Sequence, residues 1–360
     1  MSLLTQIAGL AGVSKATVSR VINERGNVHP DTVKLVQNAM VQAKYQPSLL
    51  RASRTISPEN SLRARMLPSY ALVGTEIESS LAMLLLRGFE AASKMRSRPA
   101  IICSTGDNVF QQGNELLHLI HKRVSGIALV PTASATTPLF HLEAIQAAGI
   151  PLVLLHRDVP NTQVPSIILP LEEAGYAAGR AILEKGHKQI GVLTSTRGPS
   201  AQLHCRGLIR SMDEAGLTLD ETAIQYCTQY CTHSVSLPQL RVSVGRVLDH
   251  WLSLPADRRP SAVYVTSDTL AEAFYMHMLD RNLRVPQDLS IVSFGAQDPI
   301  GAIASRLSAL AVDEEAVGRL AVEALDQIAS GQLPPTGRIY KKVALSFVTG
   351  ETLIPYKPLG

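Results

Sequence analysis

Near the start of the chain, Lys15, Ala16, Thr17, Ser19 and Arg20 have the types and spacing to meet duplex DNA, within the run VSKATVSRVIN from Val13 to Asn23. Lys15 and Arg20 can donate to guanine O6 and N7, Ala16 permits close approach or touches a thymine methyl, and Thr17 and Ser19 suit phosphates. For that chemistry the five must lie on the outer face of a helix whose N-terminal end enters the major groove. The flanking residues predict such a helix: Ser14 stands at the N-cap, and Val18, Val21 and Ile22 form one buried stripe. Ahead of it, Leu4, Ile7, Ala8 and Ala11 recur at helical spacing and stop at Gly12, a residue suited to a left-handed turn. Behind it, Pro30-Asp31-Thr32 opens a third helix over 33–44, whose Val33, Val36, Met40 and Ala43 close a three-helix unit. A pair of amphipathic helices that merely pack would show the same glycine break. The third helix and the charge of the segment argue for the helix-turn-helix.

Residues 1–65 carry nine Lys or Arg against Glu24, Asp31 and Glu59, a larger surplus than the +4 of the whole chain, so the remainder is net acidic. Cationic charge gathers where phosphate contact is expected, as counterion-release binding requires. At 360 residues and 46% apolar content, the chain can build more than one buried core. No apolar run reaches the roughly 18–20 residues needed to span a bilayer, and the N-terminus shows no secretory apolar region. The expectation is a cytoplasmic protein with no membrane partner. Cys103, Cys205, Cys227 and Cys231 are too few and too scattered for a disulfide framework.

Past residue 70 strand-like runs at 71–73, 100–103, 126–130, 152–155, 190–193, 262–265 and 290–294 alternate with amphipathic helices at 81–95, 112–122, 175–185, 202–215, 241–252, 269–281 and 314–329. Alternation of this kind predicts parallel sheets covered on both faces, with ligands outside the carboxyl ends of the strands. Enzyme chemistry finds little support. His156-Arg157-Asp158 has the order of a kinase catalytic loop, but no glycine-rich phosphate loop precedes it and the metal-binding Asn falls at the wrong distance. Cys227, Cys231 and His233 are zinc-ligand types without a clear fourth member, and His118 and His121 share one helix as solvent-facing residues. No metal and no cofactor is expected.

VSKATVSRVIN, the downstream NVHPDTV and Tyr45-Gln46-Pro47 together resemble the LacI/GalR (lactose-repressor) family of bacterial transcription regulators, in that family's order and spacing. The resemblance continues through LLLRGFEAAS (84–93), KRVSGIALVP (122–131), AAGIPLVLLHRDVP (147–160), EKGHKQIGVL (184–193), TSDTLAEA (266–273) and LRVPQDLSIVSF (283–294), nearly the full chain. It implies an all-α helix-turn-helix headpiece (1–47), a hinge or linker (48–69) and a periplasmic-binding-protein-like α/β core (70–360) of two parallel-sheet subdomains. Those subdomains would comprise about 70–169 with 299–331, and 170–298 with 332–355, the chain crossing near 168–172, 298–307 and 332–338. The implied function is a DNA-binding regulator, a repressor, acting as a homodimer on a pseudo-palindromic operator and modulated by a small carbohydrate-type effector. A sugar-binding receptor sharing the core is the alternative from another class, and an effector-insensitive regulator is the alternative within this one.

The DNA-facing set is Ser14, Lys15, Ala16, Thr17, Ser19, Arg20, Asn23 and Asn27, with Ser48, Arg51 and Arg54 in the linker. Ser48 stands where the family's hinge helix begins with Asn, and Arg54 where it carries a minor-groove Leu. A helix over 49–55 remains open, as does a basic tether. The effector set is Glu76, Ser79, His156, Arg157, Gln202, His204, Ser267, Asp268 and Gln297. Here the chain departs from the family: His156 replaces an aspartate, His204 an arginine, Ser267-Asp268 an Asn-Asp pair, and Phe294-Gly295-Ala296 a Phe-Asp-Asp. Asp268 could accept sugar hydroxyls, while Arg157, His156 and His204 could donate to hydroxyls, a carboxylate or a phosphate. A purely structural role for His156 and Arg157 is equally open, Arg157 pairing with Asp158.

Overall fold

The computed structural model describes residues 3–22, 28–43, 68–75, 80–133, 136–195, 197–227, 237–295, 306–337 and 341–357. Backbone contacts divide the chain into residues 1–66 and 67–360.

In the first unit, helices α1 (Leu3–Ala11), α2 (Lys15–Ile22) and α3 (Pro30–Gln42) pack on one another. Their apolar stripes meet at Ile7, Ala8, Ala11, Val18, Val36, Ala39 and Met40, all buried. Gly12 turns the chain out of α1 at φ +64°, and the Val13 N–H closes the helix end on the Ala8 carbonyl at 3.0 Å. Ser14 Oγ then accepts the Thr17 N–H at 3.1 Å, the expected cap of α2. The third helix starts at Pro30 rather than Val33, since proline suits the first helical turn, where no amide partner is needed.

The second unit holds two six-stranded sheets built by the same winding. The first half runs β1 (Tyr70–Gly74), α4 (Ser80–Met95), β2 (Ala100–Ser104), α5 (Val109–His121), β3 (Gly126–Leu129), α6 (Leu139–Ala147), β4 (Leu152–His156) and β5 (Ser166–Ile168). After α7 (Leu171–Glu184) the second half repeats the pattern with β6 (Ile190–Thr194), α8 (Pro199–Glu214), β7 (Ile224–Tyr226), α9 (Leu237–Ser253), β8 (Ala262–Val265), α10 (Asp268–Asp280), β9 (Ser290–Gly295) and β10 (Ser308–Val312). Then come α11 (Glu314–Ala329), β11 (Lys341–Lys342) and β12 (Leu345–Val348). Strand orders are β11-β5-β4-β3-β1-β2 and β12-β10-β9-β8-β6-β7. All pairings are parallel except β10 with β12. Strands such as Val153 to Leu155 and Val263 to Val265 are apolar on both faces because helices cover both.

Three crossings join the halves. Helix α7 follows β5 of the first sheet yet packs on β8, β9, β10 and β12 of the second; α11 follows β10 of the second yet packs on β3, β4 and β5 of the first. The third crossing leads from β11 into β12. Two expected boundaries move accordingly. Residues 308–312 are a strand of the second sheet, so the chain returns at Asp313 and not within 298–307, and it leaves the first sheet after Lys342 and not within 332–338. The cause is the brevity of β10, β11 and β12, whose apolar runs carry no periodic signature of which sheet they join.

Candidate functional site

On α2, Lys15, Ala16, Ser19 and Arg20 are exposed on one side while Val18 is fully buried on the other. Among the described residues no carboxylate pairs with Lys15 or Arg20. Thr17 is half-buried and its hydroxyl lies 2.9 Å from Ser14 Oγ, which ties it to the cap and draws it away from the expected phosphate contact. Asn23, Asn27, Ser48, Arg51 and Arg54, with the 49–55 hinge helix, lie outside the described residues.

The other candidate site follows from the crossings. They leave two, one and two residues between elements of opposite sheets, at 169–170, Asp313 and 343–344. Ile168 pairs with Lys342 at the carboxyl edge of one sheet, and Val312 with Leu345 at that of the other. A chain reaching roughly 3.6 Å per residue holds those edges within about 11 Å of each other at the crossings. Two parallel sheets therefore face each other by their carboxyl ends, across the hinge segments that would bend if the halves closed.

On the first edge, His156 ends β4 with φ +67°, and its Nε2 donates to Glu314 Oε2 at 2.9 Å. Glu314 is fully buried at the first turn of α11, its Oε1 without a partner among the described residues. His156 thus ties the β4 end to the crossing. Arg157 follows, largely withdrawn from water; burial pushes its guanidinium below the usual arginine range, opposed by the Asp107 carboxylate rather than by Asp158. Asp107 Oδ1 accepts the Ala133 N–H at 2.6 Å.

On the second edge, Ser267 caps α10 by accepting the Leu270 N–H, and Ser293 Oγ donates to Asp268 Oδ1 at 2.7 Å. Burial raises the Asp268 carboxyl above its ordinary value, partly offset by that bond. Gly295 makes room for it, since a Cβ there would collide with the Asp268 carboxylate. Sequence reasoning noted the missing aspartate but not this compensation.

His204 is corrected. It shares a 2.7 Å hydrogen bond with the buried Tyr264 hydroxyl and packs edge-on against Phe294, and burial holds its imidazole down at about 3. It belongs to the core stripe Ala201, His204, Cys205, Leu208, Ser211 and Met212 of α8, a helical spacing already present in the sequence. Gln202, off that stripe, is exposed. Glu76, Ser79 and Gln297 lie outside the described residues, as do Cys231 and His233 of the zinc reading. Sequence reasoning missed Glu314 and Asp107 as partners of the β4 end, because nothing local links them to it.

Residues 3–48 match the family model of bacterial regulatory proteins, lacI family, and residues 180–353 match the periplasmic binding protein-like domain. The chain belongs to the lacI family. This lacI-family chain is 28% identical over 291 residues to the HTH-type transcriptional regulator DegA of Bacillus subtilis, covering 80% of each. It is 27% identical over 328 residues to the ribose operon repressor of Haemophilus influenzae, covering 91% of this chain and 92% of that one. Its fold is that of the transcriptional regulator CelR in complex with cellobiose (TM-score 0.65, 21% identity, 97% and 99% covered) and of the lac repressor dimer bound to operator and an anti-inducer (0.65, 19%, 97% and 98%). As a family member it is a DNA-binding transcription regulator modulated by a small molecule, and not an enzyme. Among the described residues no helix is long and apolar enough to cross a membrane.

Proposed function

We propose that this regulator is a cytoplasmic repressor that binds a pseudo-palindromic operator as a homodimer, reading base edges through Lys15, Ala16 and Arg20, and that its effector is carbohydrate-derived. One observation carries the effector reading: three short crossings hold the carboxyl edges of two parallel sheets face to face, with polar residues of both edges, Arg157 and Asp268 among them, at that boundary. The name of the ribose operon repressor, matched over 91% of this chain, supports both repression and a sugar-type ligand. An effector would alter DNA occupancy by binding open and closed core conformations unequally, the difference passing along the chain that joins core to headpiece. A receptor that only binds sugar would have no use for the exposed Lys15 and Arg20 face.

Selection of operators from random duplexes with the full-length protein, followed by Arg20→Ala, tests the DNA half. A two-fold symmetric consensus is expected, and the variant should lose about 1–3 kcal/mol on it with relaxed preference at one position per half-site. An unchanged base preference removes Arg20 from the readout. A second reading, a regulator that ignores small molecules, draws on His156 being tied to Glu314 and His204 being turned into the core. Operator affinity unaltered by any sugar, sugar acid or sugar phosphate would favour it.

A further inference from the structure

Arg157 differs from every other polar residue at the two facing edges. Its Nη1 is buried and has no hydrogen-bond partner, and among the described residues no carboxylate forms an ion pair with the guanidinium. The other charged groups of the site are engaged: Glu314 with His156, Asp268 with Ser293, and Asp107 with the Ala133 amide. A cation taken from water without a hydrogen-bonded counter-charge is a standing penalty that a fold removes unless a ligand supplies the anion. The backbone is also set for this placement. His156 adopts φ +67°, a region that β-strand residues with side chains avoid, and the turn puts the Arg157 N–H on the Leu155 carbonyl at 2.8 Å, directly beyond the end of β4. Meanwhile the carboxylates that the resembled family carries at positions 156 and 295 are a histidine and a glycine here, which shifts the edges from accepting hydroxyls toward receiving negative charge.

We propose that Arg157 is the anchor for an oxyanion-bearing effector, a small molecule whose carboxylate or phosphate enters between the carboxyl edges and meets the unpartnered Nη1. This rests on the reading of those edges as the effector cleft. The planar guanidinium can hold either group through two parallel N–H donors, and the ligand supplies the counter-charge that the fold withholds. A neutral sugar would leave the cation as it is.

The full-length protein is melted alone and with D-glucose, D-gluconate, D-glucose 6-phosphate or inorganic phosphate, beside Arg157→Met. Without ligand the variant should melt at or above wild type, because an apolar chain of similar length removes an unpaired buried charge. At about one hundred times its dissociation constant, an anion should raise the wild-type Tm by about 5 °C and leave the variant unmoved. Gluconate acting alone assigns the site to a carboxylate, and glucose 6-phosphate acting alone to a phosphate ester. Equal action by inorganic phosphate assigns it to the free anion. If glucose shifts both proteins equally and no anion shifts wild type further, the cleft reading survives and the role of Arg157 falls. A wild-type protein indifferent to all three anions overturns the proposal, whatever the variant does.

Discussion

Substitution of His156 by alanine isolates the tie between the end of β4 and the α11 crossing. Glu314 is fully buried, its Oε2 receives the imidazole at 2.9 Å, and its Oε1 has no other partner among the described residues. Deleting the histidine leaves a carboxylate deprived of its hydrogen bond in a dry site. Breaking one side of a buried pair costs about 3–5 kcal/mol. The position of Glu314 in the first turn of α11 returns about 0.3–1 kcal/mol, since the helix N-terminus favours negative charge. The expected loss is therefore about 2–4 kcal/mol. Replacing both residues by leucine should recover most of it, because apolar packing in place of a buried pair is often neutral or better. Urea unfolding of the full-length protein measures this, with the single tryptophan, Trp251, as a probe buried in the second half of the core. A His156→Ala protein within about 0.5 kcal/mol of wild type, at equal denaturant slope, would refute the argument, for surface substitutions typically lie in that range.

His204→Phe should flatten the acid side of the stability profile. Its imidazole is held at about 3, below the ordinary 6.5, so the stability it contributes is present above pH 6.5 and is lost as pH falls below it, by about 1.4 kcal/mol per unit. Between pH 6.5 and pH 5 the variant should lose about 2 kcal/mol less than wild type. His141, held at about 4, keeps some slope in both proteins, and identical slopes would show that His204 is not buried as neutral imidazole. Gly207→Ala would put a Cβ against the Glu172 carbonyl oxygen and 2.6 Å from the Tyr176 amide nitrogen, so α7 and α8 must part. A loss of about 3 kcal/mol is expected from such overpacking, and a Tm within 1 °C of wild type would mean that the helices have room.

The headpiece was legible because its determinants are local: a 3.6-residue stripe, a glycine at the turn, a serine cap and a proline start all lie within a few residues of what they control. The seven long apolar strands were legible for the same reason, and so was the core position of His204, had the stripe from Ala201 to Met212 outweighed the family's arginine at that place. What sequence alone determined is thus the DNA-reading helix, the alternating α/β core and the absence of enzyme motifs. Tertiary structure decided the crossings, because β10, β11 and β12 are too short for periodicity to reveal their sheet. It also decided the chemistry of the cleft. His156 meets Glu314 from 158 residues away, Gly295 yields its space to Asp268, and Arg157 is buried beyond β4 with an unpartnered nitrogen. Such relations depend on which strand lies beside which, and a linear pattern of side chains holds no record of neighbours brought together by winding.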